Sequence, residues 1–283
     1  MAERAGWWPA AADAVDPPDV DFTTPNMARV YDYVLGGKDN FAVDRAVGDE
    51  ILRRLPEVRL GVQQQRALLR RAVRLMVEDL GIRQLIDIGA GLPTADNVHE
   101  IARRHAPGTR VVYVDNDPVV LAHGRAILAD APEVCVVEGD ITRPEEILAH
   151  PQTRGLIDLT EPVGLVLCGI LHHVSEEEGP QDLVRRLCAP LPVGSHVLLH
   201  HLRDPGSAAA AELQQAFRAA TGRGEFRSDA RVASLLDGLD LLEPGLVPVC
   251  RWRPDHEVPE SDEHPVLQLA LAALARKSRP TLP

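Results

Sequence analysis

From Gly81 onward, short apolar runs alternate with segments of helical period. "QLIDI" (84–88), "RVVYVD" (110–115), "EVCVVEGD" (133–140), "PVGLVLCGIL" (162–171) and "SHVLLHHL" (195–202) have the length and branched-chain content of strands. The last two are apolar enough for central strands covered on both faces. Such alternation builds a parallel sheet with helices on both sides. In "NDPVVLAHGRAIL", Asp117 suits an N-cap and Pro118 the first helical position. In "ITRPEEIL", Thr142 and Glu145 have capping-box spacing around Pro144. "LDLLEPGLVPVCRWRP" turns at Pro244-Gly245 and resumes as further strand, whereas "PVLQLALAALARK" fits a last strand or a helix equally.

The chain before Gly81 is of a different character. "TTPNMARVYDYVLGG" predicts a short amphipathic helix with Thr24 as cap, Pro25 at its first position, Met27, Val30, Tyr31 and Val34 on one face, and a stop at Gly36-Gly37. A longer helix is expected from Val58 to Leu80; its Arg66, Arg70, Arg71 and Arg74 read as a solvated face.

With 283 residues and 45% hydrophobic content, the chain suffices for one large α/β domain with an appendage. A formal net charge of -12 offers no electrostatic footprint for a nucleic-acid backbone, so nucleic acid is not an expected partner. The first twenty residues carry acids and prolines where a signal peptide has its apolar core, and no apolar run is long enough to span a bilayer. A cytoplasmic protein with a loose N-terminal tail is expected. Cys135, Cys168, Cys188 and Cys250 are widely spaced and read as buried free thiols rather than as disulfides or a metal site.

Of 30 basic residues only Lys38 and Lys277 are lysine, a bias expected of a GC-rich genome that drifts away from Lys and Asn codons. Residues kept against that drift are candidates for function. The only asparagines are Asn26, Asn40, Asn97 and Asn116, and the only tyrosines Tyr31, Tyr33 and Tyr113. By this reasoning Lys38 is the functional lysine, and Lys277 is expected to accept Arg without consequence.

The sharpest chemical signal is "RQLIDIGAGLPTADNVHE" (83–100), a strand, a glycine turn and a helix for which Pro93 and Thr94 suit the start. Gly89, Ala90 and Gly91 let a ligand approach the backbone closely. A dinucleotide fingerprint requires a third glycine, where this chain has Thr94. Asp87, two residues before the first glycine, would repel a pyrophosphate on the helix N-terminus and attract a ligand bearing an ammonium and a sulfonium. The Asp-x-Gly-x-Gly form therefore favours S-adenosyl-L-methionine (SAM) over NAD, with a purely structural glycine turn as the alternative.

Two further acids fall at strand ends, where open α/β sheets bind ligands. Asp115, with Asn116 beside it, is placed to accept both ribose hydroxyls. Asp140 is placed to accept the adenine amino hydrogens while Ile141 packs on the ring, with an Asx-type turn as the alternative for Asp140. His172, His173, His200 and His201 stand at the mouths of the fourth and fifth strands. Strand alternation lets at most one of each pair enter a site, and His172, then His173, are the candidates for a general base. No metal is expected, because no recognised ligand spacing is present.

"PNMARVYDYVLGGKDNFAVD", "IDIGAGLPTADNVHE", "VVYVDNDPVVLAHGRAIL" and "PGLVPVCRWRP" resemble an actinobacterial SAM-dependent methyltransferase family formerly catalogued as a domain of unknown function. The resemblance runs from about Pro25 to the C-terminal region. It implies a Rossmann-like core, a seven-stranded, mostly parallel sheet with an antiparallel last strand and helices on both faces, and an N-terminal helical cap over SAM. The expected organisation is a tail over 1–22, a helical cap over 23–80 and a SAM-binding catalytic domain over 81–283. In the cap, the turn Gly36-Gly37-Lys38-Asp39-Asn40 suits closure over the methionine end, and Arg29 or Lys38 could pair with the methionine carboxylate, the alternative being cap-to-core salt bridging. Tyr31, Asn40 and Asn97 complete the expected SAM-binding set. The expected activity is methyl transfer to an unidentified small molecule; a SAM-binding regulator and an NAD-dependent oxidoreductase are the alternatives.

Overall fold

The computed structural model describes residues 21–93, 96–127, 131–256 and 264–280. Five strands appear where the apolar runs predict them: β1 (Gln84–Ile88), β2 (Arg110–Asp115), β3 (Val134–Glu138), β4 (Gly164–Cys168) and β5 (His196–Leu202). All are parallel, in spatial order β3-β2-β1-β4-β5. The ambiguous C-terminal segment is strand β8 (Ala270–Arg276), which runs antiparallel to β5 through seven register pairs. It wins over a helix because its partner β5 is apolar on both faces, so pairing there buries backbone and side chains together.

Among the described residues the sheet has eight strands, against the seven expected. The run before β8 breaks at Pro244-Gly245 into β6 (Asp240–Leu241) and β7 (Val247–Pro248), each pairing a different part of β8. Alternation along the strands sorts the core into two layers. Ile86, Ile88, Val112, Leu165 and Leu167 face one layer, with helices α6 (Pro144–Ala149) and α8 (Pro180–Cys188) on it. Leu85, Val111, Val166, Leu198 and Leu274 face the other, against α3 (Val58–Glu78) and α4 (Val98–His105).

Helix α1 (Met27–Leu35) begins two residues later than Pro25 predicts, because the Asn26 side chain, not Thr24, accepts the N–H of Ala28. Its end at Gly36, with φ of 88°, is as expected. Helix α2 (Ala42–Arg54) follows. Helix α4 starts at Val98 rather than at Pro93: Asn97 and Glu100 form a capping box there. Thr142 does not cap α6, because its N–H is taken by the carboxylate of Asp140 and Arg143 holds the cap position. Asp117 does cap α5 (Pro118–Ile127), accepting the N–H groups of Val119 and Val120.

The arginine run of α3 is not uniformly solvated. Arg71 is buried and donates to the carbonyls of Val249 and Trp252, tying the helix to the segment after β7. Lys277 also departs from expectation. It is buried, and its Nζ donates to the carbonyls of Cys188, Ala189 and Leu191 at 2.7–2.8 Å, closing the C-terminus of α8. Those carbonyls have no intrahelical donor, and a cation at the negative end of the helix dipole satisfies them. None of the four cysteines is in a disulfide; Cys188 and Cys250 are buried, Cys135 and Cys168 partly so. Residues 1–20 and Thr94 lie outside the described residues.

Candidate active site

The order β3-β2-β1-β4-β5 reverses direction between β1 and β4, and at such a switch point the connections leave to opposite sides and open a crevice at the carboxyl ends. A cavity of about 460 Å³ lies there, reaching from the glycine turn after β1 to the turn after β4 and roofed by α1 and the first half of α3.

At its first end the chain builds a cradle from backbone. Gly89 and Gly91 have φ of 75° and 66°, a conformation side chains resist. A Cβ on Gly89 would lie 2.8 Å from the Ile170 side chain, so the approach of the turn after β4 also requires glycine. Asp115 holds the cradle in place: its carboxylate accepts the N–H of Gly91 at 2.9 Å and those of Asn116 and Asp117 at 2.9 and 3.0 Å. Oδ1 accepts two of these N–H groups and Oδ2 one, so Oδ2 keeps a lone pair for a ligand hydroxyl. Asp140 accepts Thr142 N–H in an Asx-type turn and lines the cavity together with Ile141.

Asp87 is strongly perturbed. Burial pushes its pKa up to about 7, Arg66 opposing the rise and Asp115 adding to it. A buried carboxyl held this way gains from an approaching cation, the property required of a residue facing an ammonium. Ala90, Asn97, Asn116 and Tyr31 also line the cavity, and the Tyr31 hydroxyl is buried without a hydrogen-bond partner.

Three expected SAM contacts lie elsewhere. The buried Arg29 guanidinium stands 3.5 Å from Asp44 and 3.9 Å from Asp117, with Phe41 beneath it; it joins α1 to α2 and α5. Asn40 donates to Asp32 and to the Gly37 carbonyl, fixing the turn after α1 from within. Lys38 is exposed. None of the three lines the cavity. Arg223 lines its opposite end; the cation that lines it beside Asp87 is Arg66, read in the sequence as solvated. It comes close enough to Asp87, Tyr31 and Cys168 to influence their titration, while one guanidinium nitrogen donates to the Asp96 carbonyl. Its register on α3, three and seven residues before the buried Leu69 and Val73, was the available signal.

At the other end, His172 and His173 both line the cavity. Alternation does not separate them because they sit in a 3-10 turn, Leu171–His173, not in β4. Their ring centroids are 4.4 Å apart, and the His173 ring lies nearly parallel to Phe217 of α9 (Ala208–Thr221). On β5 alternation holds: His200 lines the cavity, while His201 turns away to Arg227, 2.8 Å from its Nε2. Burial lowers the pKa of every member, well below the usual value for His172 and to about 4 for His173 and His200, so these imidazoles are neutral at pH 7. The turn is clamped from behind: Arg227 donates to the carbonyls of Leu171 and Val174, which flank the two histidines, and to Glu176.

A parallel sheet reversed at its middle, with an antiparallel strand inserted beside β5 and an acid-lined glycine turn at the switch point, defines a Rossmann-like methyltransferase. The family model described as S-adenosyl methyltransferase matches residues 13–278, and the chain belongs to that family. It is similar to a putative methyltransferase from Thermobifida fusca, with 39% identity, a TM-score of 0.90 and coverage of 94% of this chain and 100% of that one. It is also similar to a DUF574 family protein from Streptomyces avermitilis, at 37% identity and a TM-score of 0.84, covering 90% and 98% of the two chains. An O-methyltransferase family protein from Burkholderia thailandensis shares the fold at 14% identity and a TM-score of 0.52, over 78% of this chain and 57% of that one. A search of curated proteins found no match. The expected family resemblance is thus borne out, SAM is the methyl donor, and the oxidoreductase alternative falls. Among the described residues no group of His, Cys, Asp and Glu is arranged to hold a metal ion, and no helix is long and apolar enough to cross a membrane.

Proposed function

We propose that the protein transfers the methyl group of SAM to a small molecule bound beside His172 and His173. The observation that carries this reading is a single cavity joining the acid-lined glycine turn to the histidine turn under one roof of helices. SAM supplies a methyl group already activated by its sulfonium. In this reading Asp87 and Arg66 take the amino-acid end, Gly89 to Gly91 the approach of its chain, Asp115 with Asn116 the ribose, and Asp140 with Ile141 the adenine. Orientation of donor and acceptor in such a closed space can supply about 7 to 11 kcal/mol of barrier lowering, so the main task of the chain is positioning and exclusion of water. A neutral histidine is needed only where the acceptor must lose a proton.

An acceptor of small size fits a site enclosed by α1, α3 and α9, and the net charge of -12 disfavours a nucleic-acid substrate. The test is incubation of the protein and methyl-labelled SAM with an extract of an actinobacterial host, followed by separation into small molecules, protein and nucleic acid. Label is expected in the small-molecule fraction. Label confined to a macromolecular fraction would overturn the acceptor class, and failure of SAM to raise the melting temperature of the purified protein would overturn the donor site.

A further inference from the structure

The histidine end of the cavity has its own chemical character. Its walls are apolar or aromatic: Leu213 and Phe217 of α9, Leu202 at the end of β5, and Val266 and Leu269 of the turn before β8. Polar atoms set among them are unspent. The buried Nδ1 atoms of His172 and His200 are both without a hydrogen-bond partner. Leaving such groups unpaired is unfavourable, and a native fold keeps them where a ligand completes them. The cation at this rim is spoken for, since Arg223 pairs with Glu178 at 3.0 Å and donates to the His173 carbonyl.

Resting on the methyltransferase reading, we propose that the acceptor is an uncharged, flat molecule whose reacting group is an acidic hydroxyl, a phenol or an enol. Its ring lies against Phe217 and His173 in the apolar slot, and its hydroxyl is presented to His172. The groups present argue against other nucleophiles. A carboxylate or phosphate acceptor needs a free cation, and Arg223 already holds a carboxylate. An alkylamine enters as an ammonium and needs an anion, whereas no acid among the described residues lines this end: the cavity's carboxylates, Asp87, Asp115 and Asp140, stand at the ends of β1, β2 and β3. An alkyl alcohol holds its proton too firmly for an imidazole whose basicity burial has reduced. A phenol, titrating near about 10, is the acidic hydroxyl within its reach. The step balances without a further reactant. The O–H proton passes to a ring nitrogen of His172 and the oxygen pair forms the C–O bond. The S–CH₃ pair stays on sulfur, giving S-adenosylhomocysteine and an aryl or enol methyl ether.

A matched series on one ring tests this: 2-naphthol, 2-naphthoic acid and 2-naphthylmethylamine, titrated calorimetrically into protein saturated with S-adenosylhomocysteine, then assayed with labelled SAM. The naphthol is expected to bind at least tenfold more tightly than either charged analogue and to be methylated. Phe217→Ala is expected to lose naphthol binding, and His172→Gln to retain it within a few-fold while its transfer rate falls by about 100-fold, the scale of general-base catalysis. Both variants should bind S-adenosylhomocysteine as the parent does, which shows them folded. Equal or tighter binding of the acid or the amine, binding of none of the three, or an unchanged rate in His172→Gln would each overturn the proposal. Loss of S-adenosylhomocysteine binding by the parent protein would instead sink the donor site beneath it.

Discussion

At the β1–β2 end of the cavity, the contact surface is largely backbone, and one buried carboxylate, Asp115, gathers three N–H groups to hold it. At the β4–β5 end the surface is side chain, contributed by segments as far apart as Leu171–His173, Phe217 and Val266, with Arg227 holding the histidine turn from behind. The first end is suited to a ligand of fixed shape and charge. The second can change its occupant by exchanging side chains on α9 and the 265–268 turn without disturbing the sheet. In the function proposed above, one fold thus separates a constant donor site from an adaptable acceptor site.

The strongest way to break this comparison is Asp115→Ala. Hydrogen bonds to a charged group contribute roughly 1.5 to 3 kcal/mol each, and the turn depends on three of them. A loss of SAM affinity of about 100-fold is expected by calorimetry. Asp117→Ala, which removes a helix cap, should lower stability by about 1 kcal/mol and leave SAM affinity nearly intact. Exchanged phenotypes would show that the cradle hangs from Asp117 instead.

Asp87→Asn comes next and has a pH signature. The folded pKa of Asp87 is raised to about 7 from 3.8, so stability associated with its protonated form is present below pH 3.8 and lost as pH rises through 7. Removing the charge should therefore raise the melting temperature of the ligand-free protein at pH 8. SAM affinity should rise between pH 6 and 8 in the parent, as the ionised carboxyl meets the ammonium, and be weaker by about tenfold and flat in the variant, taking one charge-assisted hydrogen bond as the loss. A parent affinity independent of pH would remove Asp87 from the ammonium.

Arg227→Lys probes the other end. Lysine keeps the charge but not the fork that reaches both carbonyls, so the histidine turn loses its clamp. The transfer rate should fall by about tenfold, in line with the sensitivity of catalysis to small misplacement, while SAM affinity stays within threefold. Equal losses in both would mean that the two ends are not separable.

The two lysines give the smallest effects and the sharpest contrast with composition. Lys277→Arg must fit a planar fork where a compact ammonium serves three carbonyls, and a loss of about 1 to 3 kcal/mol is expected in denaturant unfolding. Lys38→Arg, on an exposed turn, should change neither stability nor SAM affinity. A drop in SAM affinity for Lys38→Arg would place that turn over the ligand after all.

What the sequence determined by itself is local and periodic. The parallel strands follow from runs whose side chains pack on both faces, and the Asp117 cap and the Gly36 stop follow from backbone groups satisfied within a few residues. The glycine turn with Asp87, Asp115 and Asp140 was legible because sequence spacing alone puts acids at strand ends. Tertiary structure decided what depends on distant partners. Arg29 and Arg66 are both arginines on amphipathic helices, yet Asp44 and Asp117 claim one while the other is left to line the cavity. His172 and His173 escape strand alternation because the chain has already left β4 for a 3-10 turn that Arg227 stabilises from 53 to 56 positions away. Lysine rarity singled out two residues, and the weight given to Lys38 belongs, in the folded chain, to the buried Lys277. The ends of α8 and β8 meet only in the folded sheet, and the cluster of three carbonyls that this meeting creates, invisible in the sequence, is what requires Lys277.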